Sequence, residues 1–584
     1  MQIDIKKVIE SKSPGFFEKY PKIISSQILL ILKKILHIDD VNDYLKGHSH
    51  LQGIDFIDGL FKYLDFSFNV DQNDLQKIPD DGKLIIISNH PLGGLDGLAL
   101  LKAVSLVRSD VKVVVNDILQ NIDNLKDLFL PYNLYSVKTQ KKNIKKIEQS
   151  IENNEVIIFF PAAVVSRITM KGIKDRKWQK GALRLAKKFK SPILPVYVDA
   201  RNSLMFYLLA LLHDKAGTML LPHELFNKRS SQIYLKIGNI IPYSSLKDYH
   251  LNEKKQTDLL QEHLYKLGKD SVEIFKTEKS IIEPVDKNII KEELKSAQHI
   301  GQTLDDKQIF LVSHDEGKNI VREIGRLREI TFRKVGEGTG KELDVEKYDT
   351  YYDHLVLWDK NDEEIVGSYR IGKTKDIIEK YGKKGLITSK KFDINDEFDE
   401  VLAQSLEVGR TFIQQKYWKS AALDYMWQGI GAFLKNNPDV RYLWGTVSMS
   451  DDLPDDAKDL IIYYYLKWYP GNPNLAYPHR EYSLSDEKKA ELSEFFNTGS
   501  AFKDFRKMKK SLLTIGHTVP VLYRRYTDIT EDDGTEFINF CIDVTFKNSV
   551  DGFIVVDMTK LKKDVRERYY NQRSFVKKNG TSKN

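Results

Sequence analysis

From residue 82 onward, short runs of apolar, mostly β-branched residues alternate with stretches of helical periodicity. The runs cover residues 83–88, 111–115, 155–160, 193–198 and 232–237, each bounded by Gly, Pro or polar residues. Unbroken apolar runs of this length suit strands buried on both faces, and helical stretches at 143–153 and 180–190 supply covering layers. The pattern predicts an α/β domain with a largely buried sheet over residues 71–280. Ahead of it, residues 15–37 place Ile24, Ile28, Ile31, Leu32 and Ile35 near helical spacing, with Lys22, Lys33 and Lys34 beside them. That predicts a basic amphipathic helix in an N-terminal region spanning 1–70. Such a helix can lie in a membrane interface or pack as the first core helix of the domain behind it.

Periodicity fades over the charged residues 281–306, which read as a linker. A second set of strands follows at 309–313, 354–358, 365–371 and 442–447, mixed with helices around 319–334 and 421–434. In the latter helix Leu423, Trp427, Ile430 and Leu434 share one face. Residues 307–570 therefore form a second, α+β domain with a mixed sheet. A Lys-rich tail, 571–584, closes the chain, and no internal repeat is present.

Composition narrows the function classes. The 584 residues are 41% hydrophobic and 30% charged, a globular balance with room for two domains. Ninety Lys and Arg against 83 Asp and Glu leave a net charge of +7. This dispersed excess does not argue for nucleic acid but suits an anionic membrane surface. The single cysteine, Cys541, excludes an intrachain disulfide and a cysteine-rich metal site, so no metal is expected. Residues 1–10 are studded with charge and lack the apolar core of a secretory leader. The longest apolar stretch, 204–212, is about half of a bilayer-spanning helix, which excludes a polytopic membrane protein. The expected location is cytoplasmic.

The first chemical constellation is Ser88-Asn89-His90-Pro91-Leu92-Gly93-Gly94-Leu95-Asp96-Gly97, directly after the 83–88 strand. A histidine at a strand exit can act as a general base when a nearby carboxylate fixes its tautomer, and the glycines let the chain turn back. This stretch resembles the His-Asp motif of the PlsC-like lysophospholipid acyltransferase superfamily. That family usually has four residues between His and Asp, whereas here five separate His90 from Asp96. Phe160-Pro161-Ala162-Ala163-Val164-Val165-Ser166-Arg167, residues 178–181 (WQKG) and Leu194-Pro195-Val196-Tyr197 fall in the family's order. The resemblance covers roughly residues 75–245. It implies an O-acyltransferase with His90 as base, Asp96 as its orienting partner, and Asn89 and Arg167 in substrate binding. Ala162 stands where the family commonly carries a glutamate for the glycerol phosphate headgroup, which argues against a lysophosphatidic acid acceptor. Arg167 can still engage an acidic headgroup, or it is an ordinary surface arginine.

The second constellation comprises Arg328 and Phe332, then Glu342, Asp344, Tyr348, Asp349, Asp353 and His354, then Arg370, Glu407 and Arg410. Singly these are solvated charges; together they can form a polar cleft where carboxylates handle an amine and arginines hold a carboxylate. The ordered set resembles the acyl-homoserine-lactone synthase branch of the GNAT fold, and more closely the N-acyltransferases that make ornithine lipids and related aminolipids. It implies Glu407 as proton acceptor for the amine, and Arg328, Phe332, Asp344, Asp349, Arg370 and Arg410 in substrate binding. The alternative role for Glu407 is a salt bridge with Arg410. Residues 414–421 contain no glycine, which disfavours an ordinary CoA pyrophosphate cradle and fits an acyl group delivered on acyl carrier protein.

The union of the two halves resembles bifunctional ornithine-lipid synthases of the OlsF type. By that resemblance, the C-terminal half attaches a 3-hydroxy fatty acyl group to an amino acid. The N-terminal half then esterifies the hydroxyl of the resulting lyso-aminolipid. Acyl carrier protein or CoA carries the donor, no bound cofactor is needed, and the enzyme works peripherally on the inner face of the cytoplasmic membrane. Ornithine, glycine and related amino acids all remain open. Two alternatives stand beside this reading: a glycerophospholipid acyltransferase joined to an unrelated N-acyltransferase, and a non-catalytic lipid-binding protein.

Overall fold

The computed structural model describes residues 15, 21–35, 37–116, 122–132, 137–170, 172–212, 217, 220–247 and 251–569. The chain divides into two compact units, Met1–Ser280 and Ile281–Asn584. The basic tail 571–584 lies outside the described residues, as does most of the segment before Lys22.

The first unit is built on strands β1 (Ser67–Val70), β2 (Leu84–Ser88), β3 (Val111–Asn116), β4 (Phe129–Tyr132), β5 (Val156–Phe159), β8 (Ile193–Asp199) and β9 (Gln232–Ile237), in spatial order β1-β9-β8-β2-β5-β3-β4. A separate hairpin joins β6 (Arg167–Thr169) to β7 (Gly172–Lys174). Pairing is parallel except between β8 and β9. Strand β2 sits centrally and is buried along its whole length. Its side chains alternate between two cores: Leu84 and Ile86 enter one, Ile85 and Ile87 the other. Helices cover both faces, which makes three layers. All five expected strands are present.

The boundary expected at residue 70 is not there. The helix Gly53–Leu64 buries Phe56, Ile57, Phe61 and Leu64 in the same core as β2, and β1 pairs with β9. Residues 38–70 are thus part of the first unit. Helix α1 (Lys22–Ile35) differs, since Ile24, Leu30, Ile31 and Ile35 are exposed.

The second unit has an eight-stranded mixed sheet: β10 (Gln298–Gln302), β11 (Gln308–Val312), β12 (Asp353–Asp359), β13 (Glu364–Lys373), β15 (Ser405–Ile413), β16 (Tyr442–Met449), β19 (Ser549–Asp557) and β18 (Thr535–Asp543), in that spatial order. A two-stranded sheet pairs β14 (Phe392–Ile394) with β17 (Ala476–Pro478). The segment 281–306 is not a linker. It contains the helix Lys287–Ser296, whose Ile290 and Leu294 enter a core of this unit, and the edge strand β10.

Two features position chemistry here. Strands β15 and β16 pair in parallel only over Ser405–Val408 against Tyr442–Gly445. Beyond that, β15 pairs with β13 alone and β16 with β19 alone, so the two strands part and leave a cleft between facing backbone edges. The parting begins at a close approach. A Cβ on Gly445 would fall 2.3 Å from the Val408 carbonyl oxygen, and Arg410 adopts a left-handed φ of 49°. A non-glycine residue in that region is strained and held by its surroundings.

Candidate active sites

In the first unit, β2 ends in the middle of the sheet and delivers His90 to the carboxyl edge of the parallel strands, where α/β folds place their ligand sites. The chain bends through Pro91–Gly93, with Gly93 at φ 97°, and enters helix α2 (Gly94–Ser105). Asp96 lies in its first turn, fully buried, and accepts backbone N–H bonds from Leu92 at 2.8 Å, Gly93 at 3.2 Å and Gly97 at 2.8 Å. Its Oδ1 is 3.2 Å from His90 Nδ1 but off the hydrogen-bond line. Burial opposes a charge on His90, yet the attraction of Asp96 and Asp175 outweighs it and raises the imidazole above its ordinary value.

Asp175 forms a second brace. It accepts bonds from the His90 backbone N–H at 3.2 Å, the Ser166 hydroxyl at 2.6 Å and Trp178 Nε1 at 3.0 Å. Phe160 lies against the imidazole, with ring centroids 4.3 Å apart. Asn89 exchanges two bonds with the backbone of Val198, so its amide ties β2 to β8. Arg167 is buried rather than a surface residue. It donates to the Val165 and Ser166 carbonyls and lies 5.0 Å over the ring of Phe206.

Phe206 belongs to helix α3 (Leu204–Leu212), which exposes Leu204, Met205, Leu208, Leu211 and Leu212. Met170 at the tip of the β6–β7 hairpin is fully exposed, and Ile168 and Ile173 are exposed beside it. The structure thus sets an apolar surface next to Arg167, one residue from Ser166, whose N–H bonds the His90 carbonyl.

In the second unit, helix α4 (Lys318–Lys334) carries Arg328 on its buried face. Arg328 pairs with Asp344 (Nε to Oδ2, 2.9 Å) and Asp349 (Nη1 to Oδ1, 3.2 Å). Arg370, from β13, reaches the same Asp349 oxygen at 3.2 Å. His354 Nε2 lies 3.5 Å from it. Burial would raise the Asp349 carboxyl, but Arg328 and Arg370 hold it far below the carboxylate range. Burial pushes His354 down to about 3, against the pull of Asp349, so its ring is neutral. Arg410 pairs with Asp344 and Glu346, each at 3.3 Å, and lies 4.7 Å over the ring of Phe546. Phe332 packs edge-on to that ring at 5.3 Å. Of the three arginines, Arg328 and Arg370 are 1% exposed and Arg410, on β15 just past the point where it parts from β16, is 17% exposed.

Glu407 is fully buried and does not pair with Arg410. Its carboxylate accepts from the Thr388 N–H at 2.8 Å, the Thr388 hydroxyl at 2.6 Å, the Ile387 N–H at 3.3 Å and the Tyr352 hydroxyl. The structure therefore gathers Arg328, Asp344, Asp349, Arg370 and Arg410 into one charge network, with Phe332 on its flank, and leaves Glu407 in a separate hydrogen-bonded socket.

Several participants escaped the sequence reading. Asp175 could have been found as the carboxylate three residues before Trp178. Glu346 joins the arginine network: burial opposes its charge, but Arg410, Lys390 and Arg370 bring it down to about 2. Lys391 contacts Asp551, Thr446 Oγ1 at 3.2 Å and Asp543 at 3.3 Å, a pairing across strands with no local signal.

The two sites belong to an enzyme that transfers acyl groups. Residues 7–273 match the family described as Acyltransferase, and residues 327–428 match the Acetyltransferase (GNAT) domain. The glycine Nα-acyltransferase of Bacteroides thetaiotaomicron is 33% identical over 265 residues, 43% of this chain and 78% of that protein. The lyso-glycine lipid O-acyltransferase of the same organism is 30% identical over 272 residues, 45% of this chain and 97% of that protein. Among solved structures, the 1-acyl-sn-glycerophosphate (LPA) acyltransferase PlsC from Thermotoga maritima is similar at 15% identity over 40% of this chain and 94% of that one, with a TM-score of 0.25. The chain belongs to the bifunctional aminolipid acyltransferase family, with a PlsC-like domain followed by a GNAT domain.

Proposed function

We propose that the second unit N-acylates glycine with a 3-hydroxyacyl group and that the first unit then O-acylates the hydroxyl of that product, giving a diacylated glycine lipid. The observation that carries this reading is the union in one chain of sequence related to a glycine Nα-acyltransferase and to a lyso-glycine lipid O-acyltransferase. The product of the first reaction named is the acceptor class of the second.

The geometry supports each step. In the second unit, Arg410 presents a guanidinium at the cleft where β15 and β16 part, suited to the carboxylate of a small amino acid. In the first unit, neutral His90 takes the proton of the acceptor hydroxyl as its oxygen attacks the thioester carbonyl, while Asp96 stabilises the imidazolium that forms. Ala162 is buried where a phosphate-binding glutamate would stand in relatives acting on glycerol phosphates, which fits a headgroup without phosphate.

The acyl donor in this reading is a thioester on acyl carrier protein. The enzyme docks peripherally on the inner face of the cytoplasmic membrane through α1, with Lys33 and Lys34 in its last turn, and the exposed leucines of α3. No described helix is long and apolar enough to cross a membrane.

Expression of the whole chain in a host that lacks aminolipids, with mass analysis of its lipids, tests the proposal. Mono- and diacylated glycine lipids are expected. Their absence, with phosphatidic acid formed from supplied lysophosphatidic acid, would establish the glycerophospholipid alternative instead.

A further inference from the structure

The second unit must take a proton from an amine, and the carboxylates nearest the matched positions are already committed. Asp349 and Glu346 are ion-paired with arginines, Asp344 is paired with Arg328 and Arg410 through Oδ2 while its buried Oδ1 has no hydrogen-bond partner, and Glu407 is saturated by Tyr352, Ile387 and Thr388. Asp551 is held by Lys391. A carboxylate that spends its lone pairs on charged or fixed donors is a poor proton acceptor.

Glu337 is different. It follows the end of α4 in the sequence Val335-Gly336-Glu337-Gly338, where its N–H bonds the Phe332 carbonyl at 2.8 Å. Gly336 takes φ 81° and packs so tightly that a Cβ would fall 2.8 Å from Asp452 Oδ2 and 2.9 Å from Ser450 Oγ, at the far end of β16. The turn is therefore pinned beside the strand that borders the cleft. The Glu337 side chain is half-buried and makes no hydrogen bond or ion pair with any described residue. Its charge is repelled by Asp551 on β19 and attracted by Lys391 before β14 and Arg410 on β15, and it acts in turn on the buried, neutral Tyr523 hydroxyl.

We infer that Glu337, at the mouth of the β15–β16 cleft beside Arg410, is the proton acceptor for the attacking amine in N-acyl transfer. The inference rests on the reading of this unit as an N-acyltransferase. With Arg410 holding the carboxylate of the amino acid, the amine faces a carboxylate that no described donor occupies. The neutral amine attacks the thioester carbonyl, forming the C–N bond and a tetrahedral adduct. Glu337 accepts a proton from nitrogen, the C–S bond breaks, and the departing thiolate takes that proton, restoring the carboxylate. Burial and the nearby Asp551 push Glu337 up to about 8, with Lys391 and Arg410 opposing. A base with that value is matched to a proton transfer near neutral pH.

The test uses the full chain with glycine and a 3-hydroxyacyl thioester on acyl carrier protein, compared across wild type, Glu337→Gln and Glu337→Asp. Glu337→Gln should lower kcat for N-acylation about 10²–10⁴-fold, with glycine KM nearly unchanged and O-acylation of supplied lyso-lipid intact. Glu337→Asp, which keeps a carboxylate, should restore part of the rate and move the acidic limb of the pH profile. A raised glycine KM with wild-type kcat would make Glu337 a binding residue and overturn the inference, as would full activity in Glu337→Gln. Loss of both activities with a lower melting temperature, unrelieved in Glu337→Asp, would also overturn it. A wild-type chain inactive on glycine and ornithine alike would instead remove the N-acyltransferase reading itself.

Discussion

His90 Nδ1 and Asp96 Oδ1 lie 3.2 Å apart although five residues separate them in the chain. The extra residue is absorbed in the bend before α2, where Gly93 adopts φ 97° and both it and Leu92 donate their N–H groups to Asp96. The carboxylate is thereby fixed by backbone before it meets the imidazole.

His90→Ala should lower O-acylation about 10²–10⁴-fold and let the monoacylated product accumulate. Because Asp96 raises the imidazole above its ordinary value, the base is lost as pH falls through that raised value. Asp96→Asn should reduce the maximal rate and shift this acidic limb to lower pH. A pH–rate profile on supplied lyso-lipid reads both effects. An unshifted limb in Asp96→Asn would show that the pair is not coupled.

Asp349 joins Arg328, Arg370 and His354 in a site closed to solvent. Asp349→Ala leaves two buried guanidinium groups short of a partner and should cost about 3–5 kcal/mol. The folded-state carboxyl is depressed, so its stabilisation is present above the ordinary carboxylate range and is lost as pH falls toward and below it. Denaturant unfolding of wild type and variant at neutral and acidic pH checks this. The difference between the two proteins should shrink at the acidic end.

What was legible in the sequence was largely local. The run Leu84-Ile85-Ile86-Ile87 announces a strand buried on both faces, and the structure sends alternate side chains into two cores. His90 and Asp96 meet through one turn, so their pairing could be read from one stretch of chain. The boundary at 70 and the reading of 281–306 as a linker failed because short elements with two to four core residues, such as Ile290 and Leu294, carry little periodicity, whereas the division after residue 280 holds. Lys391, just before β14, and Asp551, on β19, lie 160 positions apart and meet only in the folded unit. Glu407 and Arg410, three apart on one strand, look paired in sequence. The strand bulge between Ser368 and Arg370 and the left-handed φ of Arg410 turn them to different partners.

Glu407→Gln tests that separation. Each Glu407 oxygen accepts from one backbone N–H and one hydroxyl, so an amide nitrogen in either place faces a fixed N–H donor and forces a hydroxyl to turn. The expected cost is about 1–3 kcal/mol, seen as a lower melting temperature with reduced N-acylation. Tyr352→Phe removes one donor and should lower stability without abolishing activity. Full stability of Glu407→Gln together with complete loss of N-acylation would return Glu407 to a chemical role.

The exposed leucines of α3 make the last test. Leu204, Leu208, Leu211 and Leu212 are between 52% and 83% exposed. They sit on a helix that also supplies Phe206 to the guanidinium of Arg167, so the surface is continuous with residues beside His90. Burying one leucine in acyl chains stabilises by about 1.5–3 kcal/mol. Leu208→Glu with Leu211→Glu should therefore reduce flotation with vesicles more than tenfold, in high salt as well as low, because this contribution is apolar. Lys33→Gln with Lys34→Gln should weaken binding to anionic vesicles alone, and the deficit should fade as salt screens the attraction. Flotation with neutral and anionic vesicles, each at two ionic strengths, separates the two contributions. Undiminished binding of the leucine variant would assign membrane contact to another surface.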